Sequence, residues 1–248
     1  MLVSGSVATR ASRLVDPAEP VLVSGPARRF VSRGGEKLDA ALARFAIDVR
    51  GQRALDAGAS TGGFTDCLLQ CGAIQVVAVD VGRGQLHERL RQDGRVLSLE
   101  RTNIRTATLG DLGGSRFDVV VADLSFISLR AVAVPLVGWT RPDGDLVVLV
   151  KPQFEAGRRQ VARGRGVIRD PDAWGRTLQD VIAALETAGA TMMGVMVSPL
   201  RGADGNVEFL AHLRPGPPAG TGIDVPGAIE AAVTEAYPGR ADNPECED

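Results

Sequence analysis

From residue 53 onward the chain alternates short, unbroken apolar runs with stretches in which apolar residues recur about every three or four positions. Unbroken runs suit strands covered on both faces, and the wider spacing suits the helices that cover them. The pattern predicts strands near 53–57, 75–80, 95–99, 117–123, 144–150, 191–197 and 207–213. It predicts helices near 63–71, 83–92, 127–137 and 171–188, with a weaker one at 106–112. An earlier helix opens at Ser32-Arg33-Gly34-Gly35-Glu36-Lys37, where Leu38, Ala41, Leu42 and Phe45 make one apolar stripe. Gly72 and Gly189 fall just past helix ends, and Asp170-Pro171 reads as an N-cap with proline in the first helical position.

Strands separated by helices imply a mostly parallel sheet that binds ligands at the carboxyl ends of its strands. Only residues 199–206 lie between the last two strands, too few for a crossover helix, so these two pair as a hairpin and one runs antiparallel. The expectation is a Rossmann-like α/β domain with a seven-stranded sheet, over residues 32–214. Residues 1–24 read as a small β-rich piece: Leu2-Val3, Ser6-Val7-Ala8 and Val21-Leu22-Val23 are divided by Gly5 and the turn Asp16-Pro17-Ala18-Glu19-Pro20. Residues 25–31 form a linker around Gly25-Pro26. Residues 215–248 are an extension with a helix from Ile223 to Tyr237 and a disordered acidic end, Asp242 to Asp248.

With 248 residues and 44% hydrophobic content, the chain can bury one sizeable core. No apolar run approaches the ~18 residues of a membrane span, and no signal peptide opens the chain, so the expectation is a soluble cytoplasmic protein with no stable membrane insertion. Cys67, Cys71 and Cys246 form no CxxC pair, and Cys67 and Cys71 read as helix packing rather than a metal site. The net charge of −2 argues against binding nucleic acid by bulk charge. Locally the picture changes: Arg28, Arg29, Arg33 and Lys37 cluster, as do Arg158, Arg159, Arg163, Arg165 and Arg169.

The 28 basic residues include only two lysines, Lys37 and Lys151. A buried lysine can lose its proton and act as a base, which arginine cannot. Lys37 stands in the first turn of its helix, where the helix dipole disfavours a cation, so it calls for an acidic or phosphate partner. Lys151 follows the apolar strand Leu146-Val147-Val148-Leu149-Val150, and a charge there is costly unless it is paired or deprotonated.

Asp56, Asp80 and Asp123 end the first, second and fourth strands of the main sheet, and Asn103 follows the third. The first strand runs into Asp56-Ala57-Gly58-Ala59-Ser60-Thr61-Gly62-Gly63-Phe64, a glycine turn that brings backbone close to a ligand. Asp80 stands where an acid binds the hydroxyls of an adenosine ribose. Ser60 replaces the second glycine of a dinucleotide fingerprint, which suits S-adenosylmethionine, a cofactor with the same ribose and no pyrophosphate. The cofactor candidates are Asp56, Gly58, Ser60, Thr61, Gly62, Gly63, Phe64, Asp80, Asn103 and Asp123. Leu124-Ser125-Phe126 after Asp123 is not the Pro-Pro-aromatic loop of amino-group methylation, and no cysteine sits beside a proline as a cytosine-C5 nucleophile would. His87 and His212 belong to no recognisable catalytic pair.

Five stretches together resemble the hemolysin A (TlyA) family of FtsJ-like ribose 2′-O-methyltransferases. They are Ser32-Arg33-Gly34-Gly35-x-Lys37, the glycine turn Asp56 to Thr65, Ala122-Asp123-Leu124-Ser125-Phe126-Ile127-Ser128, Val150-Lys151-Pro152-Gln153-Phe154-Glu155 and Gly205-Asn206-Val207-Glu208. The resemblance covers roughly residues 30 to 214. It implies methyl transfer from S-adenosylmethionine to the 2′-hydroxyl of a ribosomal RNA nucleotide, a cytidine, with no metal and with rRNA or ribosomal subunits as partners. The family's Lys-Asp-Lys-Glu tetrad falls on Lys37, Asp123, Lys151 and Glu208. Lys151 is the expected base, with Arg28, Arg29, Arg33, Arg158, Arg159, Arg163 and Arg165 as phosphate contacts. Residues 1–24 resemble the β half of an S4 RNA-binding domain, and because the chain starts partway through that domain the expectation is weakened RNA binding. Three alternatives stand beside this reading: a methyltransferase acting on another substrate, a membrane-active hemolysin-like protein, and an S4-type ribosome-associated factor without catalysis.

Overall fold

The computed structural model describes residues 2–8, 10, 13–22, 28–156, 166–217 and 223–237. Leu2–Val3 (β1), Ser6–Val7 (β2) and Val21–Leu22 (β3) pair as a small antiparallel sheet with β1 in the middle. The unbroken apolar runs become one larger sheet: Arg53–Ala57 (β4), Gln75–Val79 (β5), Val96–Leu99 (β6), Phe117–Ala122 (β7), Thr140–Val150 (β8), Ala190–Val197 (β9) and Phe209–Pro215 (β10). Its order is β6-β5-β4-β7-β8-β10-β9. Strands β4 to β8 are parallel, and β10 runs antiparallel to both β8 and β9. The expected hairpin is present, and its second strand inserts between β8 and β9.

Alternate strand residues feed two apolar layers, which is why the runs carry no polar alternation. Ala54, Val76, Val119 and Val147 pack toward Gly34–Arg44 (α1) and Gly63–Gln70 (α2). Leu55, Val77, Val120 and Val148 share the opposite layer with Ala133–Trp139, Pro171–Thr187 and Val225–Ala236. With Glu88–Arg91 as α3 and Pro152–Glu155 as α5, these three helices are α4, α6 and α7. The helix ends are built as the sequence indicates. Asp170 accepts from Asp172 N with Pro171 following, and Gly72 and Gly189 close α2 and α6 at φ 100° and 99°.

Three predicted helices differ from expectation. The stretch 83–92 yields only α3, because Asp80 Oδ1 takes Gly82 N at 2.7 Å and turns the chain, and His87 then caps the late start through Nδ1. The weak helix at 106–112 forms turns only: Asp111 accepts from Thr108, which ties the segment into a local loop, and Gly113 follows at φ 95°. The stretch 127–137 begins as a 3₁₀ turn, Leu129–Val132, before α4. The acidic end expected at 242–248 lies outside the described residues. Among the described residues no helix is long and apolar enough to cross a membrane.

Candidate active site at the carboxyl ends of the strands

The chain leaves β4 pressed against its neighbours. Gly58 N and Ala59 N both donate to Val79 O, at 2.8 and 3.0 Å. Gly58 has φ 87°, and a Cβ there would lie 2.6 Å from Asp123 O, so only glycine lets the turn pass between β5 and β7. Ser60 N then donates to Asp80 Oδ2 at 2.8 Å, while Gly82 N holds Oδ1. Each carboxylate oxygen keeps acceptor capacity for another donor.

Two adjoining cavities open above this turn. The larger, about 550 Å³, has Asp80, Asn103, Arg105 and Asp123 among its polar groups and Val79, Ile104, Leu124, Phe126 and Ile127 among its apolar lining. The smaller, about 260 Å³, is lined by Ser32, Arg33, Lys37, Thr61, Gly63, Phe64 and Lys151. Gly58, Ser60, Asp123 and Ser125 face both. Eight of the ten cofactor candidates thus come together here. Gly62 instead packs on Leu86 and Leu90.

Asp56 lies beneath the site rather than on it. Its carboxylate is fully buried: Oδ2 accepts from Thr65 N at 2.9 Å and Thr65 Oγ1 at 2.6 Å, and Oδ1 has no partner. The residue therefore braces the first turn of α2. Burial pushes its pKa up to about 7, with the Thr65 bonds opposing and the Asp123 charge adding. A carboxyl whose folded pKa lies above its ordinary value contributes stability that is complete below about pH 4 and is lost as pH rises through about 7. Asp56→Asn keeps an oxygen for Thr65 N and has no proton to lose. Denaturant unfolding between pH 4 and 8 should show wild type losing on the order of 2–4 kcal/mol relative to this variant. Equal pH slopes would mean that Asp56 does not titrate on folding.

The two lysines are nine-tenths buried, and each has its own acid. Lys37 Nζ pairs with Glu208, which gives the cation in the first turn of α1 its acidic partner. Lys151 Nζ lies 2.5 Å from Asp123 Oδ1 and donates to Ser125 Oγ at 3.0 Å. Charges this deep persist when paired and hydrogen-bonded. The register of β10 on β8, with Phe209 opposite Val150, brings Glu208 level with Lys151. All four tetrad side chains thus gather at one edge of the sheet.

Two residues beside them had no role legible in the sequence. Ser125 supplies the hydroxyl to Lys151. Phe126 is 92% exposed at φ 65° and leans on Phe154 at 5.1 Å between ring centroids. An aromatic three residues after an acid at a strand end was the available signal. The arginine candidates separate: Arg33 is exposed on the smaller cavity and Arg28 is exposed, but Arg29 is forked onto Asp39 at 2.5 and 2.9 Å. Arg158, Arg159, Arg163 and Arg165 lie outside the described residues. Cys67, Cys71 and Asp39 bring possible ligand atoms within 4.8 Å of one another, with both Asp39 oxygens bonded to Arg29. His212 is buried against Asp145 at 2.7 Å and His87 caps α3, so both histidines serve the fold.

Comparison with known proteins bears on the same residues. A family model described as FtsJ-like methyltransferase matches residues 30–215. The chain is 52% identical over 204 residues to the 16S/23S rRNA (cytidine-2'-O)-methyltransferase TlyA of Mycobacterium tuberculosis, covering 82% of this chain and 75% of that one. Among solved structures, a hemolysin-designated protein of Streptococcus thermophilus is 43% identical with a TM-score of 0.80, covering 89% and 78% of the two chains. The N-methyltransferase NodS of Bradyrhizobium japonicum, solved with S-adenosyl-l-homocysteine, shares the fold at 18% identity and a TM-score of 0.53, over 74% and 88% of the chains.

Proposed function

Because this chain belongs to the FtsJ-like methyltransferase family, we propose that it transfers a methyl group from S-adenosylmethionine to the ribose 2′-hydroxyl of a cytidine in ribosomal RNA, in the cytoplasm. The observation that carries this is the meeting of the Lys151–Asp123 and Lys37–Glu208 pairs at a cavity that adjoins a second of about 550 Å³. The larger cavity fits the cofactor: Asp80 offers lone pairs to ribose hydroxyls, Ile104 and Leu124 offer apolar surface to adenine, and Asn103 stands at the rim. The bound cofactor supplies a methyl group already activated by its sulfonium.

What the chain must add is alignment and proton removal. A ribose hydroxyl is a weak nucleophile, and Lys151, once its amine is neutral, takes its proton. Asp123 and Ser125 hold the Lys151 side chain, and the Lys37–Glu208 pair fixes the opposite wall. Phe126 offers an exposed ring at the mouth on which an extruded base can stack. Exposed Arg33 and Arg105, one on each cavity, are the phosphate contacts in this reading. In domain terms, we assign residues 1–24 to part of an S4-like RNA-binding piece, 25–31 to a linker, 32–214 to catalysis and 215–248 to an extension.

The test is tritium transfer from labelled cofactor to 30S subunits, 50S subunits and naked rRNA, followed by alkaline digestion. Label retained in alkali-resistant dinucleotides is the expected result, since a 2′-O-methyl group blocks cleavage at that position. Label on protein, or on alkali-labile nucleotides, would count against the assignment. In the same assay Phe126→Ala should lower RNA methylation about tenfold, in line with ~1–3 kcal/mol for one stacked base. Phe126 also lines the larger cavity, so cofactor affinity is measured alongside and should fall less than the rate. An undiminished rate in this variant would remove the stacking role.

A further inference from the structure

Lys151 and Asp123 sit on loops that leave neighbouring parallel strands, β8 and β7. The sheet fixes where each loop starts. Farther out, the two loops are joined by Glu155, a residue with no role in the chemistry above. Its side chain is 3% exposed; Oε2 accepts from Ser128 Oγ at 2.5 Å and Oε1 from Leu129 N at 2.7 Å. Ser128 in turn accepts from Arg130 N at 3.2 Å, and Arg130 reaches back to Glu155 O at 3.1 Å, with its Nε 3.6 Å from Glu155 Oε2. Between the strand ends and this tie lie the two contacts that matter for the reaction, Lys151 on Asp123 and Phe126 on Phe154. Phe126 holds a left-handed backbone, which a non-glycine residue keeps only when its surroundings fix it.

We propose that Glu155 is a positioning residue for methyl transfer: it clamps the 123–128 loop to α5 and so sets Lys151 against Asp123 and Phe126 against Phe154. The proposal rests on the methyltransferase reading and concerns reach rather than charge. Glutamine at this position has the same length and can still accept from Leu129 N and donate to Ser128 Oγ. Aspartate keeps the charge and is one methylene too short to hold both groups.

These two substitutions separate the possibilities. In single-turnover methylation at saturating RNA and cofactor, Glu155→Gln should retain most of the rate, slowed no more than about fivefold. Glu155→Asp should be slowed about 10²-fold, the scale of an ångström of misplacement. Cofactor affinity by calorimetry should fall far less than the rate in both, because residues 123–127 form one wall of the cofactor cavity while Asp80, Asn103 and Ile104 on the other are not touched. Ser128→Ala cuts the same tie from the other loop, so it should slow Glu155→Asp little further, a non-additivity that independent sites would not show. A fast Glu155→Asp with a slow Glu155→Gln would assign the residue to charge and overturn the clamp, as would full additivity with Ser128→Ala. Wild-type protein that puts no label on RNA would instead sink the methyltransferase reading.

Discussion

Lys151→Arg should abolish methyl transfer, slowing single-turnover rates by about 10²–10⁴-fold, while the fold and cofactor affinity stay nearly intact. The side chain is nine-tenths buried between Asp123 Oδ1 and Ser125 Oγ. Arginine keeps the positive charge and a partner for Asp123, so a purely electrostatic role would survive in part. A guanidinium stays protonated at any useful pH, so a role that takes a proton from the 2′-hydroxyl would not survive. Lys37→Arg is the control: its proposed work is charge and orientation through Glu208, and its loss of rate should be much smaller. If Lys151→Arg runs within a few-fold of wild type, Lys151 only positions the substrate. The methyltransferase assignment would stand without it.

The second large effect falls on cofactor binding. Asp80→Ala should raise the dissociation constant for S-adenosylmethionine about 10–150-fold, from the ~1.5–3 kcal/mol that hydrogen bonds to a charged acceptor contribute. Asp80 faces the larger cavity with both oxygens already oriented by Ser60 N and Gly82 N. Removing it takes the ribose acceptor and also releases Ser60, which sits at φ 48°. Asp80→Asn should fall between the two, since the amide oxygen still accepts. Calorimetry with S-adenosylmethionine and S-adenosylhomocysteine would read the loss in both ligands, because the ribose is common to them. Unchanged affinity in the alanine variant would take Asp80 out of the cofactor site. A matching loss is not expected of Asp56, whose carboxylate serves Thr65.

Much of this architecture is written locally. A strand buried on both faces must be apolar throughout, so β4, β5, β7 and β8 are legible in the sequence to within a few residues. Gly72, Gly189 and Asp170-Pro171 mark helix ends because the left-handed closing turn and the cap need those residue types. The short connection of residues 199–206 alone forced an antiparallel partner. Even the oddly placed Lys37 announced a need for an acid, since a cation at a helix start is disfavoured.

Which of the tetrad's two acids meets Lys37 was decided only by the tertiary structure. Glu208 is 171 residues from Lys37, and it reaches the site because β10 inserts between β8 and β9 rather than adding at the edge. Depth at the strand ends was equally invisible. Asp56 and Asp80 follow apolar runs in the same way, but Asp56 is still within β4, paired with Ala78 on one side and Val121 on the other, and Asp80 lies one residue past the end of β5. That difference buries one carboxylate beneath α2 and leaves the other facing the cavity. Sequence spacing fixes which residues a strand contains, and the neighbouring strands decide where its pairing stops.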